Sequence, residues 1–427
     1  MKVLIVGGGG REHAIALKIK ENPEVTALYA APGNGGIAQI ATCLPFKATD
    51  VDGIVRWAAE NKVDFVIVAP DDPLCLGMVD ALAEQGIPAF GPRKNAAIIE
   101  GSKVFSKNLM KKYGIPTAAY ETFDDYDEAV KYLQTADMPI VVKADGLALG
   151  KGVLICPDRE SAVEAVASMM KEAKFGASGA QVVIEEFLTG PEVSVLAFTD
   201  GKTVKPMVSS MDHKRALDHD EGLNTGGMGT IAPNPCYTPE LAQRCMDEIF
   251  LPTIAAMNAE GRTFTGCLYF GLMMTPKGPK VIEYNCRFGD PETQVVLPLL
   301  KSDLLTIMRA TVDGTLADTP VEFASGAACC VVLASGGYPV SYKSGYPISG
   351  LDEAGKTATV FHAGTKLIDG QIVTAGGRVL GVTATADTLE AAIDKAYQAA
   401  DKITFTDMHM RRDIGQRALA SRKESHS

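Results

Sequence analysis

The first seventeen residues constrain the fold more than any other stretch of the chain. Lys2 to Val6 reads as a β-branched strand, glycine fills every position from Gly7 to Gly10, and apolar residues follow at helical spacing from Arg11 to Leu17. This order of strand, tight turn and helix N-terminus opens a parallel α/β sheet and presents free N–H groups to an anion. The sequence therefore predicts an N-terminal, Rossmann-like parallel sheet.

The ligand of this glycine turn stays open between two interpretations. The G-x-G-x-x-G pattern fails in either register because its sixth position falls on Glu12 or His13, and the second strand ends without the acidic residue that binds a ribose of NAD. NAD is therefore disfavoured. Either a single phosphate binds here with help from Arg11, or the glycines only permit close packing of helix on strand.

Composition excludes several classes of protein. A length of 427 residues predicts two to four domains at about 150 residues each. No apolar run reaches the ~18 residues needed to span a bilayer, and the apolar start is too short for a signal peptide. The nine cysteines include no C-x-x-C pair, which favours reduced thiols and a cytoplasmic location. A net charge of −11 opposes nonspecific binding to nucleic acid.

An α/β rhythm continues from residue 51 to residue 72. A helix is predicted over Val51–Glu60 and a strand over Phe65–Ala69. Asp71 and Asp72 follow that strand directly, where open parallel sheets bind ligands. The two residues either face a ligand or cap the next helix, and capping is slightly favoured.

Lysines recur every four residues in the next predicted helix, at Lys103, Lys107 and Lys111. This spacing places them on one face, which usually means a solvated stripe. Further on, a short apolar strand ends at Lys143, and a buried ammonium must reach water or an anion. The glycine-rich segment from Asp145 to Gly152 then predicts either a flap over nucleotide phosphates or an ordinary flexible turn.

The stretch Val281–Gln294 offers ligands for a hard cation. Its period-two alternation places Glu283 and Asn285 on one face of a strand. A carboxylate and an amide oxygen suit Mg²⁺, which completes its octahedron with phosphates and water. Arg287 adds a fork of donors for a phosphate or carboxylate. Taken alone, the pattern also fits an edge strand before a polar turn.

Motifs distributed along the whole chain resemble those of ATP-grasp ligases. They are Gly-Gly-Arg-Glu-His-Ala at 9–14, Pro-Gly-Asn-Gly-Gly at 32–36, Lys-Ala-Asp-Gly-Leu-Ala at 143–148, Glu-Glu-Phe-Leu at 185–188, Asp-His-Lys-Arg at 212–215, Asn-Thr-Gly-Gly-Met-Gly at 224–229 and Asn-Cys-Arg-Phe-Gly-Asp-Pro-Glu at 285–292. Within that superfamily they resemble the phosphoribosylamine–glycine ligase family, also called glycinamide ribonucleotide synthetases. One departure is Ala69-Pro70-Asp71-Asp72, where the family usually has Gly-Pro-Glu.

The resemblance implies a C–N ligase of purine biosynthesis. Glycine would be joined to 5-phosphoribosylamine with ATP, through glycyl phosphate, giving glycinamide ribonucleotide, ADP and phosphate. The cofactors would be ATP and Mg²⁺ or Mn²⁺, and the partners small molecules rather than nucleic acid or membrane. The family also suggests a monomer.

The resemblance also assigns roles to particular residues of this sequence. The ATP site would contain Lys103, Lys143, Gly150, Lys151, Glu185, Glu186, Leu188 and Glu192. The metal ligands would be Glu283 and Asn285, and the transferred phosphate would meet the catalytic residues Arg287 and Lys143. The substrates would meet Gly9, Gly10, Arg11, Asp212, Lys214 and Arg287.

The implied architecture has three parts. An N-terminal substrate-binding domain spans 1–101, an ATP-grasp α+β domain spans 102–325 with its flap-bearing part at about 123–190, and a small α+β cap spans 326–427. The rival hypotheses are another ATP-grasp ligase or carboxylase, an NAD-dependent oxidoreductase based on the first forty residues alone, and a nucleotide-binding protein without turnover. Amino-acid-dependent release of phosphate from ATP separates the last two from the ligase.

Overall fold

The computed structural model describes residues 1–148, 152–172 and 174–425, and gives only the backbone for 423–425. Among the described residues, no helix combines the length and the apolar character that crossing a membrane requires. All nine cysteines are free thiols. The predicted mixed α/β class is confirmed.

The N-terminal sheet contains five parallel strands, as the sequence predicted. Its strands, in spatial order, are Thr42–Cys43, Ala27–Pro32, Lys2–Gly7, Phe65–Val68 and Ala89–Phe90. Strand order reverses between the third and fourth of these, and open parallel sheets bind ligands at such a switch point. The loop after Gly7 and the residues after Val68 therefore meet at one edge.

Helices flank this sheet on both sides. The predicted helix Val51–Glu60 is confirmed, and it begins where the Asp50 side chain accepts the Gly53 N–H at 3.0 Å. The other helices of this unit are Gly10–Lys20, Asp71–Cys75, Met78–Glu84 and Lys94–Gly101, and the next helix is Lys103–Tyr113.

An antiparallel sheet of four strands follows. Its strands, in spatial order, are Tyr120–Phe123, Val182–Glu186, Ile140–Ala144 and Val153–Cys156. The helices Tyr126–Leu133 and Arg159–Met170 pack on it through a small core of alanine, leucine and valine. The glycine-rich segment joins its last two strands, which pair antiparallel with Lys143 opposite Val153.

The next sheet holds the predicted metal strand. Its four antiparallel strands are, in spatial order, Val204–Pro206, Glu192–Thr199, Gly266–Thr275 and Gly278–Asn285. Aromatic packing holds the last strand beside its neighbour, since the Phe270 ring lies 5.7 Å from that of Tyr284, edge to face, and 4.3 Å from that of Phe250 between centroids. The helices beside this sheet are Pro239–Cys245 and Leu251–Ala259.

The C-terminal sheet combines strands from distant parts of the chain. Its five strands are, in spatial order, Met211–Asp212, Gly229–Ala232, Ala327–Ala334, Arg378–Ala386 and Thr359–His362. The first two precede the predicted boundary at residue 325, yet they pair into the sheet of the C-terminal cap. The helix Leu389–Ala400 covers this sheet, and the remaining helices are Thr293–Leu299, Leu304–Asp313, Leu351–Gly355 and Gln416–Ser425.

One apolar core joins the N-terminal sheet to the rest of the molecule. Val3 and Ile5 of the first strand belong to the same buried cluster as Phe198, Leu305 and Cys330. Burial of apolar side chains across three sheets fixes their mutual positions. Loops from all of them therefore meet in a defined geometry.

Candidate active site

The last strand of the metal-binding sheet places both predicted metal ligands on one face. Glu283 lies directly opposite Gly271, and Asn285 lies opposite Tyr269. Directly opposed residues of antiparallel strands point to the same side. A bulge beside Gly271 leaves Ile282 outside the pairing without changing this arrangement.

Gly271 keeps the space beside Glu283 free of side chains. A Cβ atom at Gly271 would lie 3.0 Å from the Glu283 Cγ atom. The neighbouring strand, Gly266–Thr275, contributes no carboxylate. Among the described residues, no group of three or more His, Cys, Asp or Glu could hold a metal ion. A cation at Glu283 and Asn285 would therefore need other oxygen ligands, such as phosphates and water.

Glu100 ties this strand to the helix Lys94–Gly101. Its carboxylate accepts hydrogen bonds from the Asn285 side-chain nitrogen at 3.0 Å, the Cys286 backbone N–H at 2.7 Å and the Arg287 Nη2 at 3.0 Å. Because the Asn285 nitrogen donates to Glu100, the amide oxygen is the atom left to bind a cation. Burial raises the pKa of Glu100, and Arg287 partly opposes that rise.

Arg287 is held between two carboxylates. Its guanidinium lies 3.0 Å from Glu100 and 3.8 Å from Asp71. Burial lowers the pKa of Arg287, but these carboxylates outweigh burial and raise it. Its Nε atom is buried and has no hydrogen-bond partner in the described part of the chain. Since an unpaired buried donor costs free energy, an anion bound here would satisfy it.

Three lysines, here called the lysine cluster, surround the root of the glycine-rich segment: Lys103, Lys107 and Lys143. The Lys143 Nζ lies 3.1 Å from the Glu185 Oε1 and donates to the Ile282 carbonyl at 3.2 Å. The strand-end lysine therefore reaches an anion, as its sequence context required. Glu185 also lies 3.5 Å from Lys107 and is itself buried.

The prediction of a solvated lysine stripe is wrong for Lys107. Its side chain is 2% exposed, and it donates to the Thr117 hydroxyl at 2.7 Å and the Ala118 carbonyl at 3.1 Å. Burial lowers its pKa to about 8, even though Glu185 acts in the opposite direction. The strand that carries Glu185 covers this helix face, and helical spacing alone cannot reveal such a cover. Lys111 is exposed, as expected.

Lys103 contacts the glycine-rich segment directly. Its Nζ donates to the Gly146 carbonyl at 2.9 Å, and Asp145 accepts hydrogen bonds from the Ser102 hydroxyl and the Val104 N–H. Burial lowers the pKa of Lys103, and the nearby Glu283 carboxylate partly offsets this effect. The predicted flap residues Gly150 and Lys151 lie outside the described residues.

The remaining residues predicted for the ATP site lie on two strands, Val182–Glu186 and Glu192–Thr199, or, for Leu188, between them. Glu186 points away from Glu185 and is bound by the Ala119 N–H and by Lys280, each at 3.1 Å. The Leu188 N–H has no hydrogen-bond partner among the described residues. Glu192 begins the strand next to that of Gly271, on the face that Glu283 shares.

The N-terminal glycine turn already contacts two carboxylates. Glu12 accepts the Gly9 N–H at 2.9 Å and the Arg11 guanidinium at 2.7 Å, while Asp290 lies 3.3 Å from the Arg11 N–H. A Cβ at Gly10 would lie 2.5 Å from the Gln294 Nε2, so this glycine permits close packing. A phosphate at this turn would share its donors with Glu12 and Asp290.

Asp212 and Lys214 form an ion pair of 3.0 Å. Burial would lower the pKa of Lys214, but Asp212 and other anions raise it well above its usual range. Glu292 lies in the same region, accepts the Tyr269 hydroxyl at 3.3 Å and is 3% exposed. Burial, and then the Asp212 charge, raise the pKa of Glu292 to about 7.

Sequence reasoning missed Glu100 and gave Glu292 no role of its own. Glu292 ends the motif 285–292, so its position carried a signal. Glu100 stands near the end of a helix in a segment without any motif. No local pattern marks it, because its partners lie more than 180 residues away.

Comparisons with known proteins agree with this geometry. Family models for phosphoribosylglycinamide synthetase match most of the chain: the N domain at residues 1–100, the ATP-grasp (A) domain at 101–293 and the C domain at 328–417.

Individual relatives match over similar lengths. The chain is 49% identical over 425 residues to a phosphoribosylamine–glycine ligase of Halalkalibacterium halodurans, covering 100% of this chain and 99% of the relative. It is 48% identical over 414 residues to the ligase of the same name from Caldanaerobacter subterraneus, covering 97% and 99%.

Solved structures give the same result. The crystal structure of phosphoribosylamine–glycine ligase from Thermotoga maritima superposes with a TM-score of 0.86 at 35% identity, covering 97% of this chain and 100% of that chain. A biotin carboxylase from Campylobacter jejuni superposes with a TM-score of 0.74 at 15% identity. The match covers 96% of this chain and 92% of that chain, and it is a likeness of fold alone. The chain belongs to the phosphoribosylglycinamide synthetase family.

Proposed function

We propose that this protein joins glycine to 5-phosphoribosylamine at the expense of ATP, forming glycinamide ribonucleotide, ADP and phosphate. The observation that carries the proposal is the match, at nearly half of all positions and along the full length, to proteins named phosphoribosylamine–glycine ligase. The protein is then a ligase that forms a C–N bond. The three-part division at residues 101 and 325, a monomeric state and a cytoplasmic location belong to the same proposal.

The nucleotide is proposed to bind across the lysine cluster. Lys103 and Lys143, with Lys151 and the Gly150 backbone of the flap, would neutralise its phosphates. The base and ribose would meet Glu185, Glu186, the Leu188 N–H and Glu192. The free N–H of Leu188 and the exposed position of Glu192 support these roles.

Glu283 and Asn285 fit a divalent cation. Both present oxygen atoms on one strand face, and the hydrogen bond to Glu100 leaves the Asn285 oxygen available. Hard oxygen donors, including those of the phosphates, suit either Mg²⁺ or Mn²⁺. When bound, the cation supplies charge neutralisation to the transferred phosphate.

The chemistry is proposed to occur in two displacements. A glycine carboxylate oxygen attacks the γ-phosphorus of ATP, ADP leaves, and glycyl phosphate forms. The ribosylamine nitrogen then attacks the glycyl carbon, phosphate leaves with its bridging oxygen, and the nitrogen loses a proton. Arg287 would hold the transferred phosphate, because its unpaired Nε offers a donor there. Such a site works by positioning and charge rather than by a protein nucleophile.

The two substrates are proposed to approach from different sides. Asp212 and Lys214 would contact glycine near Arg287, while Gly9, Gly10 and Arg11 would hold the phosphate of the ribosylamine at the switch point. The two sides would meet at Asp71, which lies 3.8 Å from Arg287. Burial raises the pKa of Asp71, but Arg287 and then Arg11 outweigh burial and lower it.

Isotope transfer tests the order of these steps. Glycine labelled with oxygen-18 in its carboxylate should pass one labelled oxygen to the released phosphate during amide formation. Unlabelled phosphate in a reaction that still forms the amide would disprove the glycyl phosphate route. Phosphate release that depends on bicarbonate instead of glycine would replace the proposal with a carboxylase.

A further inference from the structure

A two-stranded hairpin projects from the segment that carries Asp212 and Lys214. Its strands are Arg215–Leu217 and Glu221–Asn224, and no third described strand pairs with them. Both strands expose a leucine, 47% at Leu217 and 56% at Leu223. Because an isolated hairpin with little buried apolar surface is marginally stable in water, other contacts must hold it in place.

The turn of this hairpin adds a further cost. His219 and Asp220 adopt positive φ angles of 61° and 56°. Left-handed backbone is strained for a residue that carries a side chain. The turn therefore persists only because neighbouring groups stabilise it.

Arg411, near the C-terminus, supplies the main contact. Its side chain is 1% exposed, and its Nε and Nη2 each donate to the Asp413 carboxylate at 2.8 Å. The remaining nitrogen, Nη1, donates at 3.1 Å to the Arg215 carbonyl and at 3.1 Å to Asp220. One buried guanidinium thus joins the first strand of the hairpin to its turn.

Neighbouring residues of the same C-terminal segment repeat this pattern. Asp413 accepts the His219 N–H at 2.9 Å, and the backbone N–H of Arg412 donates to Asp218 at 2.7 Å. The His409 Nε2 lies 2.7 Å from the Ala216 carbonyl and donates to it. The turn and one strand of the hairpin are therefore fixed by polar contacts to residues 409–413.

His213 connects the C-terminal segment to the active site, because it lies between Asp212 and Lys214 in the sequence. Its Nε2 accepts the Gly415 N–H at 3.1 Å, and its Nδ1 donates to the Gly229 carbonyl at 3.1 Å. Acceptance at Nε2 requires a neutral ring with its proton on Nδ1, and burial lowers the pKa of His213 accordingly.

We propose that Arg411 is a positioning residue for catalysis: by clamping the hairpin at Arg215 to the C-terminal segment, it sets the placement of the adjacent Lys214, which pairs with the sheet-held Asp212 on the glycine side. The inference rests on the proposed function, since it takes Asp212 and Lys214 as the glycine side of the site. Arg411 itself touches no reacting atom.

Kinetics of Arg411→Lys test this proposal. The lysine keeps the positive charge but cannot make the two parallel bonds to Asp413. Misplacement of a substrate contact should raise the KM for glycine about tenfold or lower kcat to a similar degree, with the KM for ATP within twofold of wild type. Hydrogen exchange of the amides at 215–224 should accelerate in parallel.

The matched control is Arg412→Lys. The Arg412 side chain is 56% exposed and pairs with Asp401, while its contact with Asp218 uses only the backbone. We expect wild-type glycine kinetics and hydrogen exchange from this variant. If Arg412→Lys lowers the kcat/KM for glycine as much as Arg411→Lys does, the assignment to Arg411 is overturned.

A second variant keeps the test valid if Arg411→Lys does not fold. Asp220→Asn weakens one Arg411 contact, together with the Arg417 ion pair at 2.7 Å, at a side chain that is 40% exposed. It should change the glycine KM in the same direction, by a smaller factor. If Arg411→Lys folds and its kcat/KM for glycine stays within twofold of wild type, the positioning role is overturned. If Arg411→Lys does not fold, the same result in Asp220→Asn overturns it.

Lys214→Met separates this inference from the proposed function. If Lys214→Met impairs glycine use while the clamp variants do not, only the positioning role fails. If Lys214→Met also leaves glycine kinetics unchanged, the glycine assignment itself fails.

Discussion

The lysine cluster and the Asp212–Lys214 segment are held in place by different kinds of interaction. The lysine cluster lies on paired strands and a helix of the ATP-grasp region, where the sheet register fixes Lys143 beside Glu185. The Asp212–Lys214 segment is held by a sheet only at its first end, where Asp212 pairs with Thr230. Beyond Lys214 it continues into a hairpin that is clamped by residues near the C-terminus. One region is positioned by its own sheets, and the other partly by a distant segment of the chain.

This difference indicates how each region should respond to change. Register and burial make the lysine cluster rigid, so its chemistry should depend on the identity of single charged groups. The substrate side relies on polar contacts between loops, so its affinity should respond gradually as contacts are removed. Four substitutions test the contrast, ordered from the largest expected effect to the smallest.

Glu283→Gln should abolish turnover while the fold persists. A neutral amide cannot replace the anionic ligand of the metal site. Because a bound cation stabilises the transition state by several kcal/mol, its loss corresponds to a fall in kcat of about 10³-fold. Steady-state phosphate release measures this, and circular dichroism checks the fold. Glu240→Gln, at an exposed helix position, is the control. Wild-type activity of Glu283→Gln at ordinary Mg²⁺ would refute the metal assignment.

Glu100→Gln should lower kcat roughly 10- to 100-fold, because Glu100 orients both Asn285 and Arg287. The Mg²⁺ concentration for half-maximal activity should rise in the same variant. Titration of activity with Mg²⁺ measures both effects. Glu84→Gln, an exposed carboxylate of the same domain, should behave as wild type. An unchanged Mg²⁺ response would mean that Glu100 does not act on the metal ligands.

Arg11→Ala should raise the KM for ribosylamine about tenfold, since one charge-assisted hydrogen bond contributes roughly 1.5–3 kcal/mol. The affinity for ATP should stay nearly constant because Arg11 lies in the N-terminal loop. Arg56→Ala, at an exposed position of the same domain, provides the control. A matching loss of ATP affinity would move the nucleotide to the first domain.

Glu292→Gln should change the pH dependence of stability. The folded pKa of Glu292 is about 7, above its ordinary 4.5, so ionising this buried carboxyl opposes folding. This destabilisation of the folded state is absent below pH 4.5, grows as the pH rises to about 7 and is constant above that value. Glu292→Gln cannot ionise and therefore shows no such destabilisation.

The free energy of unfolding of wild type, relative to Glu292→Gln, should therefore fall between pH 5 and pH 7.5. A difference of order 1–2 kcal/mol is expected, measured by urea unfolding at both values. Glu240→Gln again serves as the control. An equal pH dependence of the free energy of unfolding in wild type and Glu292→Gln would show that burial does not raise the pKa of this carboxyl.

Local sequence patterns predicted much of the metal strand and of the supporting elements. Alternation placed Glu283 and Asn285 on one face, and the helix over Val51–Glu60 was predicted with its observed bounds. These features depend on backbone periodicity and capping, which act over a few residues. The roles of the site residues, by contrast, stay predictions.

Burial of charged groups could not be predicted in the same way. Lys107 has the spacing of a solvated face, yet the strand carrying Glu185 covers it. Glu100 lies in no motif, and its three hydrogen bonds come from residues 285–287. Spacing specifies which residues share a face, but it does not specify what packs against that face.

By itself, the sequence determined the α/β class, the parallel N-terminal sheet, the family and the candidate ligands of the metal strand. Only the tertiary structure decided that Met211–Asp212 and Gly229–Ala232 pair into the C-terminal sheet, and that Arg411 reaches the hairpin beside Lys214. The reason is physical: the pairing of Gly229–Ala232 with Ala327–Ala334, and the contact of Arg411 with Arg215, join residues about 100 and 200 positions apart. Their geometry follows from how separate sheets share one buried core, which no local pattern encodes.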